Sequence, residues 1–225
     1  QREIMQSEAY RRSSLHDNPE ADAADPGNSL IWRQNLYRLK AEQVRDSVLA
    51  VSASLDLEPG GRGFFPELSR EALGGNDRPG GGWDLSDEEQ RSRRSIYMFA
   101  KRGVPVPLLS VLDLANPSLS VGRRSSTTVA SQSLSLLNSD FMNKQARTLT
   151  QRVSNEIESD ITQQVVRLFE LTLARRPTPQ ELTGALNYLS SQSKAFAALD
   201  GPLRVRAKVP DRLDGRYLMM IPASE

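Results

Sequence analysis

The sequence predicts a mainly α-helical protein, an irregular bundle of six or seven helices with little sheet, and three observations lead to this prediction. Apolar residues recur at helical spacing from Ser133 to Ile157 and again from Ile161 to Leu173. Thr178-Pro179-Gln-Glu181 combines an N-cap, a proline at the first helical position and a carboxylate at capping-box spacing. The candidate strands are few and short, namely residues 96–99 and the C-terminal tail, so a sheet-based fold is disfavoured.

The first half of the chain also carries helical patterns. Residues 4–11 read as a short helix, and an apolar stripe from Leu30 to Leu55 predicts an amphipathic helix of about seven turns. A short helix is predicted from Leu108 to Leu114. Residues 86–89 have capping-box spacing, which favours a helix start, whereas residues 96–99 fit a helix or a short strand equally well.

We expect one domain over residues 1–199, with an excursion over residues 59–83 and a separate tail over residues 200–225. The excursion holds eight of the fourteen glycines and three prolines, which is typical of a long loop. Leu203-Arg-Val-Arg-Ala-Lys-Val alternates apolar and basic residues as an edge strand does. Leu218-Met-Met-Ile221 is its candidate partner in a short hairpin.

Composition disfavours several classes of function. Lys and Arg number 29 against 28 Asp and Glu, so the net charge of +1 lacks the basic excess typical of nucleic-acid binding. No apolar run is long enough to predict a membrane span, and the first residues do not form a signal peptide but read as a piece of a longer chain. The chain has no cysteine, which excludes thiolate metal sites and covalent c-type haem. We therefore expect no cofactor in this chain.

The only histidine, His16, precedes a loop rich in Pro, Asp and Asn, and we interpret it as a surface residue rather than a catalytic or metal-binding one. Asp17, Asn18, Glu20, Asp22 and Asp25 provide oxygen ligands of the kind that Ca²⁺ prefers. They follow no EF-hand order, so we predict no metal site.

Two acidic residues are candidates for acid/base chemistry. Arg38, Glu42, Arg45 and Asp46 are spaced by three and four residues, which places them on one face of the predicted helix. The simpler interpretation is a solvated array of ion pairs. The alternative is that Glu42 and Asp46 form a catalytic acid pair, with Arg38 and Arg45 orienting a substrate.

The densest basic region contains two arginine pairs, Arg93-Arg94 and Arg123-Arg124. Arginine forks bind sulfate, phosphate and carboxylate groups bidentately, so the four residues form a candidate anion site, and we expect the pairs to lie near each other. The even charge balance favours internal ion pairs instead. The glycine runs at 60–63 and 80–82 lack the lysine and hydroxyl of a phosphate-binding loop.

Two runs carry a resemblance to a known family. They are Arg93-Arg94-Ser-Ile-Tyr97-Met-Phe99-Ala-Lys101-Arg102 and Arg124-Ser-Ser-Thr-Thr-Val-Ala-Ser-Gln132-Ser-Leu-Ser-Leu-Leu-Asn138. With Ile31-Trp32-Arg33-Gln34-Asn35 and Arg175-Arg176-Pro177-Thr178, they resemble a planctomycete-specific domain of unknown function. The chain departs from that family at Val129-Ala130-Ser131, where the family has Thr-Pro, and in residues 200–225.

The resemblance implies a C-terminal domain of a large exported protein, located in the periplasm or cell envelope. It also implies that other domains of the same polypeptide, often a c-type cytochrome domain, are its partners. Because the residues assemble no nucleophile, metal or cofactor set, we interpret the chain as a non-catalytic structural or interaction module. The alternative is a hydrolase or redox-linked enzyme acting on sulfated or acidic polysaccharide.

Overall fold

A computed structural model describes residues 1–15, 18–68, 73 and 83–197. The described chain divides into two compact units, residues 1–39 and residues 40 onward. It is mainly helical, with ten α-helices and isolated β-bridges but no strand in the described part, which confirms the predicted fold class. The helices are more numerous than predicted because several are a single turn long. The predicted C-terminal hairpin lies outside the described residues.

The first unit contains α1 (Arg2–Gln6), α2 (Glu8–Arg11) and α3 (Pro19–Ala24). Its organising residue is Asn28, which is buried at φ 53°. The Asn28 amide donates to the Arg33 carbonyl at 2.7 Å and to Asn35 Oδ1 at 2.9 Å, and its oxygen accepts the Arg33 N–H at 3.1 Å. Asp25 accepts the N–H groups of the two residues that follow Asn28.

The predicted seven-turn helix from Leu30 to Leu55 is wrong. Side-chain hydrogen bonds from Asn28 and Asp25 compete with helical ones over residues 29–33, and Ile31 lies at φ 55°, which a right-handed helix does not allow. The helix α4 begins only at Ala41, after Lys40, and ends at Val51. Ala53 at φ 60° follows its end.

The second unit holds the remaining helices and one 3₁₀ turn over Ser95–Tyr97. The helices are α4 (Ala41–Val51), α5 (Glu88–Arg91), α6 (Pro107–Val111), α7 (Ala130–Asn138), α8 (Asp140–Glu156), α9 (Ile161–Leu173) and α10 (Pro179–Ala197). α4 packs against the 3₁₀ turn, α6 and α8, and each of α6 to α9 packs against the next helix in sequence.

The continuous helix predicted from Ser133 to Ile157 is also divided. Ser139 has extended backbone angles of φ −72° and ψ 141°, and its hydroxyl accepts the Met142 N–H at 3.3 Å. Ser139 is therefore the N-cap of α8, and its preference for capping overrides the apolar periodicity on both sides of it.

The predicted starts and ends are more accurate near α9 and α10. α9 occupies Ile161–Leu173, and Asp160 caps it by accepting the Gln163 N–H at 3.0 Å. α10 begins at Pro179. Thr178 Oγ1 accepts the Glu181 N–H at 3.3 Å, and the Glu181 carboxylate accepts the Thr178 N–H at 2.8 Å, so the predicted capping box is present.

The core of the second unit lies where α4 meets α6. Ala41, Leu109 and Leu112 are buried there, and half-buried apolar side chains surround them. The C-terminal end of α4 is fixed to α8, because Ser52 Oγ donates to Gln145 Oε1 at 2.6 Å and Arg152 donates to the Val51 carbonyl at 2.7 Å. Both polar residues of the first contact are buried.

An aromatic cluster closes the base of the glycine-rich excursion. Phe65 lies 5.3 Å from Trp83 and 4.6 Å from Phe99, measured between ring centroids. Trp83 Nε1 donates to the Pro66 carbonyl at 3.0 Å. The two flanks of residues 69–82 are therefore held together, although those residues lie outside the described chain apart from Leu73.

Among the described helices, none combines the length and apolar character needed to span a bilayer.

Candidate functional site

The acidic pair singled out by the sequence lies on α4, and both carboxylates are engaged by other segments. Arg124 donates to both oxygens of Glu42 at 2.8 Å. Asp46, one turn further along, accepts the Ser95 N–H at 2.8 Å and the Ser95 hydroxyl at 2.6 Å through one oxygen. Arg38, which was expected on the same helical face, precedes α4 and is not part of it.

Arg45 was expected on a solvated face, but it is buried, with 7% of its side chain exposed. Its guanidinium donates to the carbonyl of Arg91 at 2.5 Å, to the carbonyl of Arg93 at 3.0 Å and to Ser95 Oγ at 3.1 Å. Asp46 Oδ1 accepts a longer bond of 3.4 Å. A planar fork with five donors suits this set of acceptors, so Arg45 fixes the turn that leads into residues 93–95.

The rings around Arg45 complete its burial. Its guanidinium carbon lies 5.2 Å from the Phe64 ring centroid and 5.7 Å from that of Phe141. Burial lowers the pKa of Arg45, and the charge of Asp46 opposes this effect. Spacing alone could not reveal this role, because the same periodicity describes a solvated charge array.

Arg93 fixes the start of the glycine-rich excursion. Its guanidinium donates to the Gly60 and Arg62 carbonyls, lies 4.3 Å from the Tyr97 ring centroid, and approaches Asp56 at 4.0 Å. The Tyr97 hydroxyl accepts the Gly60 N–H at 2.9 Å. Gly60 has φ 86°, which favours glycine. The run from Arg93 to Arg102 therefore holds the start of the glycine-rich excursion in place.

The run from Arg124 to Asn138 is fixed by side-chain hydrogen bonds to the end of α6 and the residues that follow it. Asp113, at φ 64°, accepts the Thr127 N–H and hydroxyl at 2.8 Å. Gln132 is buried and donates to the Val111 carbonyl at 3.0 Å, and its oxygen accepts the Val129 N–H at 3.5 Å. Its polar side chain thus satisfies backbone groups at the start of α7 and the end of α6.

The four arginines of the candidate anion site divide into two kinds. Arg93 and Arg124 are bound to oxygen atoms of the chain, as described above. Arg94 and Arg123 are exposed, and neither guanidinium forms an ion pair with a carboxylate in the described part of the chain. Because Arg124 is anchored at Glu42 and Ser95 at Asp46, the two arginine pairs approach α4 one turn apart.

Two grooves lie elsewhere on the second unit. One, of about 340 Å³, is lined by Asp56, Glu58, Asp87, Glu89 and Arg93 together with Gly60 and Gly61. The other, of about 410 Å³, lies between α6 and α7 and includes Leu108, Val111 and Leu134. Neither groove is lined by Glu42 or Asp46.

The acidic loop and the histidine considered in the sequence analysis add no candidate site among the described residues. In residues 1–15, 18–68 and 83–197, no group of three or more His, Cys, Asp and Glu side chains could hold a metal ion. His16 and Asp17 lie outside the described residues. Asn18 accepts the Ala21 N–H as the N-cap of α3, and Asp25 accepts two backbone N–H groups that lower its pKa.

The fold and these contacts define a helical domain whose characteristic polar residues bind other parts of the same chain. Residues 1–189 match the model of the family PSD1, described as a protein of unknown function (DUF1553). The chain belongs to this family. No curated protein and no solved structure matches it.

Proposed function

We propose that this chain is a non-catalytic structural or interaction module of a larger exported multidomain protein. The observation that carries the proposal is the engagement of Glu42 and Asp46, the two carboxylates best placed for acid/base chemistry. A general acid or base must exchange a proton with a substrate, whereas these groups accept hydrogen bonds from Arg124 and Ser95. Their positions support a role in joining segments of the domain.

The two recognisable runs support the same proposal. Arg93 and Tyr97 bind the backbone of the glycine-rich excursion, and Gln132 binds the backbone at the end of α6. Residues that characterise an enzyme family usually converge on a reaction centre. Here the side chains of the two runs bind the backbone at two separate places, which supports a role in holding surface loops in one arrangement.

The location and partners belong to this proposal and rest on the resemblance. We infer export to the periplasm or cell envelope, and we infer that the partners are other domains of the same polypeptide, which in the resembled family often include a c-type cytochrome domain. We propose no cofactor within the chain. The competing function is a hydrolase or redox-linked enzyme that acts on sulfated or acidic polysaccharide through Glu42 and Asp46.

Substitution of the two carboxylates tests the proposal. Asp46→Asn should destabilise the chain by about 1.5–3 kcal/mol, because two short bonds to a charged acceptor are weakened. Glu42→Gln should cost about 0–1 kcal/mol, since its ion pair is partly exposed. Urea denaturation measures both values.

The same two variants separate the competing functions. The purified wild-type chain should not hydrolyse chromogenic glycosides, aryl sulfates or sulfated polysaccharide above the buffer background. Turnover that is present in the wild type and lost in both Glu42→Gln and Asp46→Asn, with folding retained, would contradict the proposal and establish the enzyme.

A further inference from the structure

We propose that Arg94, Ile96, Val121 and Arg123 form a docking surface for an acidic polypeptide segment that also carries apolar side chains. This inference rests on the proposed interaction function and specifies its partner. We call the four residues the α4-edge surface, because the two segments that carry them are anchored to Glu42 and Asp46 on α4.

The anchors bring the two segments together. Glu42 and Asp46 are four residues apart on α4, about 6 Å along the helix axis at 1.5 Å per residue. Arg124 holds the first segment directly beside Arg123, and Ser95 holds the second between Arg94 and Ile96. Two loops that are distant in sequence are thereby fixed at neighbouring points of one rigid helix.

The local charge favours an anionic partner. The Glu42 carboxylate is compensated by Arg124, and Asp46 is bound by Ser95 and lies beside the buried Arg45. The charges of Arg94 and Arg123 are exposed and have no ion-pair partner among the described residues. An incoming carboxylate can therefore pair with either guanidinium without displacing an internal contact.

Exposed apolar side chains next to both arginines favour a polypeptide over a polysaccharide. Ile96 is 74% exposed and lies two residues from Arg94, and Val121 is 50% exposed and lies two residues from Arg123. A protein surface gains from covering such side chains with apolar groups of a partner. A sulfated polysaccharide pairs with the arginines but offers no apolar side chain to cover Ile96 or Val121.

Peptide selection on the whole chain tests the proposal. A random peptide library displayed on phage is selected on the wild-type chain and counter-selected on the double variant Arg94→Glu/Arg123→Glu. The selected peptides should be rich in Asp and Glu and should also carry Leu, Ile, Val or Phe. Calorimetric titration of a selected peptide should show affinity reduced by about tenfold or more in the double variant.

Matched variants separate the surface from its alternatives. Arg2→Glu/Arg11→Glu changes the net charge equally at exposed positions of the first unit and should bind the peptide as the wild type does. Arg94→Gln/Arg123→Gln, which avoids new negative charge, should give an intermediate loss. Ile96→Ser/Val121→Ser should weaken peptide binding while leaving any binding of heparin, used as a sulfated polysaccharide, unchanged. Thermal melting of each variant confirms that it is folded.

Three results would overturn the inference. They are a selection that yields no acidic peptides, an equal loss of binding in the Arg2/Arg11 control, and heparin binding that is tighter than peptide binding and insensitive to Ile96 and Val121. The last result would assign the surface to a polysaccharide. None of these results supports the enzyme hypothesis, which is tested separately by the turnover of the Glu42 and Asp46 variants.

Discussion

The shorter helix α4 is more deeply buried than the longer helix α10. α4 has 11 residues and buries Ala41, Arg45 and Leu49, whereas α10 has 19 residues and none of its side chains described, up to Ala195, is buried. Among the described elements, α4 packs against three others, and α10 packs mainly against α9. Within the described chain, the number of elements that pack against these two helices, and not their length, accounts for how much of each is covered.

The kinds of polar contact differ between the two helices as well. α4 uses a buried arginine that binds backbone carbonyls of a distant segment. α10 is fixed at its start by the partly exposed Glu181, which accepts two bonds from Arg175 at 2.7 and 2.8 Å. Removing a buried charge strands its partners, while an exposed ion pair is replaced by water. The comparison therefore predicts that a substitution in α4 lowers the free energy of unfolding more than a substitution at the start of α10.

The largest effect is expected for Arg45→Ala. The change leaves the Arg91 and Arg93 carbonyls without their donor and removes the positive charge beside Asp46. It also removes the guanidinium from its contacts with the Phe64 and Phe141 rings. We expect the free energy of unfolding to fall by about 3–5 kcal/mol, measured by urea denaturation with an unchanged slope.

Two further variants provide the comparison for Arg45→Ala. Arg45→Lys keeps the charge without the planar fork and should fall between the wild type and Arg45→Ala. Arg62→Ala removes an exposed arginine of the same unit and should stay within about 0.5 kcal/mol. If Arg45→Ala lost no more stability than Arg62→Ala, the proposed contrast between α4 and α10 would be wrong.

A smaller loss is expected for Gln132→Ala. The change leaves the half-buried Val111 carbonyl and the Val129 N–H without their side-chain partner. The free energy of unfolding should fall by about 1–3 kcal/mol, measured by thermal and urea denaturation. Ser133→Ala, at the adjacent exposed position, is the control and should have little effect. Equal stability of the two variants would show that the second recognisable run is not held by Gln132.

The sequence predicted the α10 side of this comparison better than the α4 side. The Thr178–Glu181 capping box and the α9 stripe depend on residues close in sequence, and both are confirmed. The helix from Leu30 to Leu55 was wrong because Asn28 and Asp25 bind the intervening backbone, and the helix from Ser133 to Ile157 was wrong because Ser139 caps α8. In both places a short-range polar contact overrides the apolar period.

The sequence grouped the candidate residues of α4 but could not show their environments. Spacing placed Glu42, Arg45 and Asp46 on one helix, yet it could not distinguish a solvated array from the buried position of Arg45. That burial depends on Ser95 and the Arg91 and Arg93 carbonyls, which lie almost fifty residues away in sequence. Contacts at this separation leave no periodic signal in a single sequence.

The smallest effect is expected at α10, for Glu181→Gln, and its dependence on pH is the informative part. Hydrogen bonds from Arg175 and the Thr178 N–H lower the pKa of Glu181 from 4.5 to about 2 in the folded chain. A carboxyl group whose pKa falls on folding stabilises the fold when ionised. Its contribution is therefore complete above pH 4.5 and is lost as the pH falls towards 2.

Thermal melting should show a small difference in melting temperature between the wild type and Glu181→Gln at neutral pH. The difference should disappear between pH 4.5 and 2 and should shrink in high salt. Glu3→Gln, which removes a first-turn glutamate with no ion pair in the described part of the chain, is the control for the loss of one negative charge. A difference that persisted unchanged at pH 2 would mean that the Glu181 charge does not fix the start of α10, and the contrast with the buried Arg45 would then rest on packing alone.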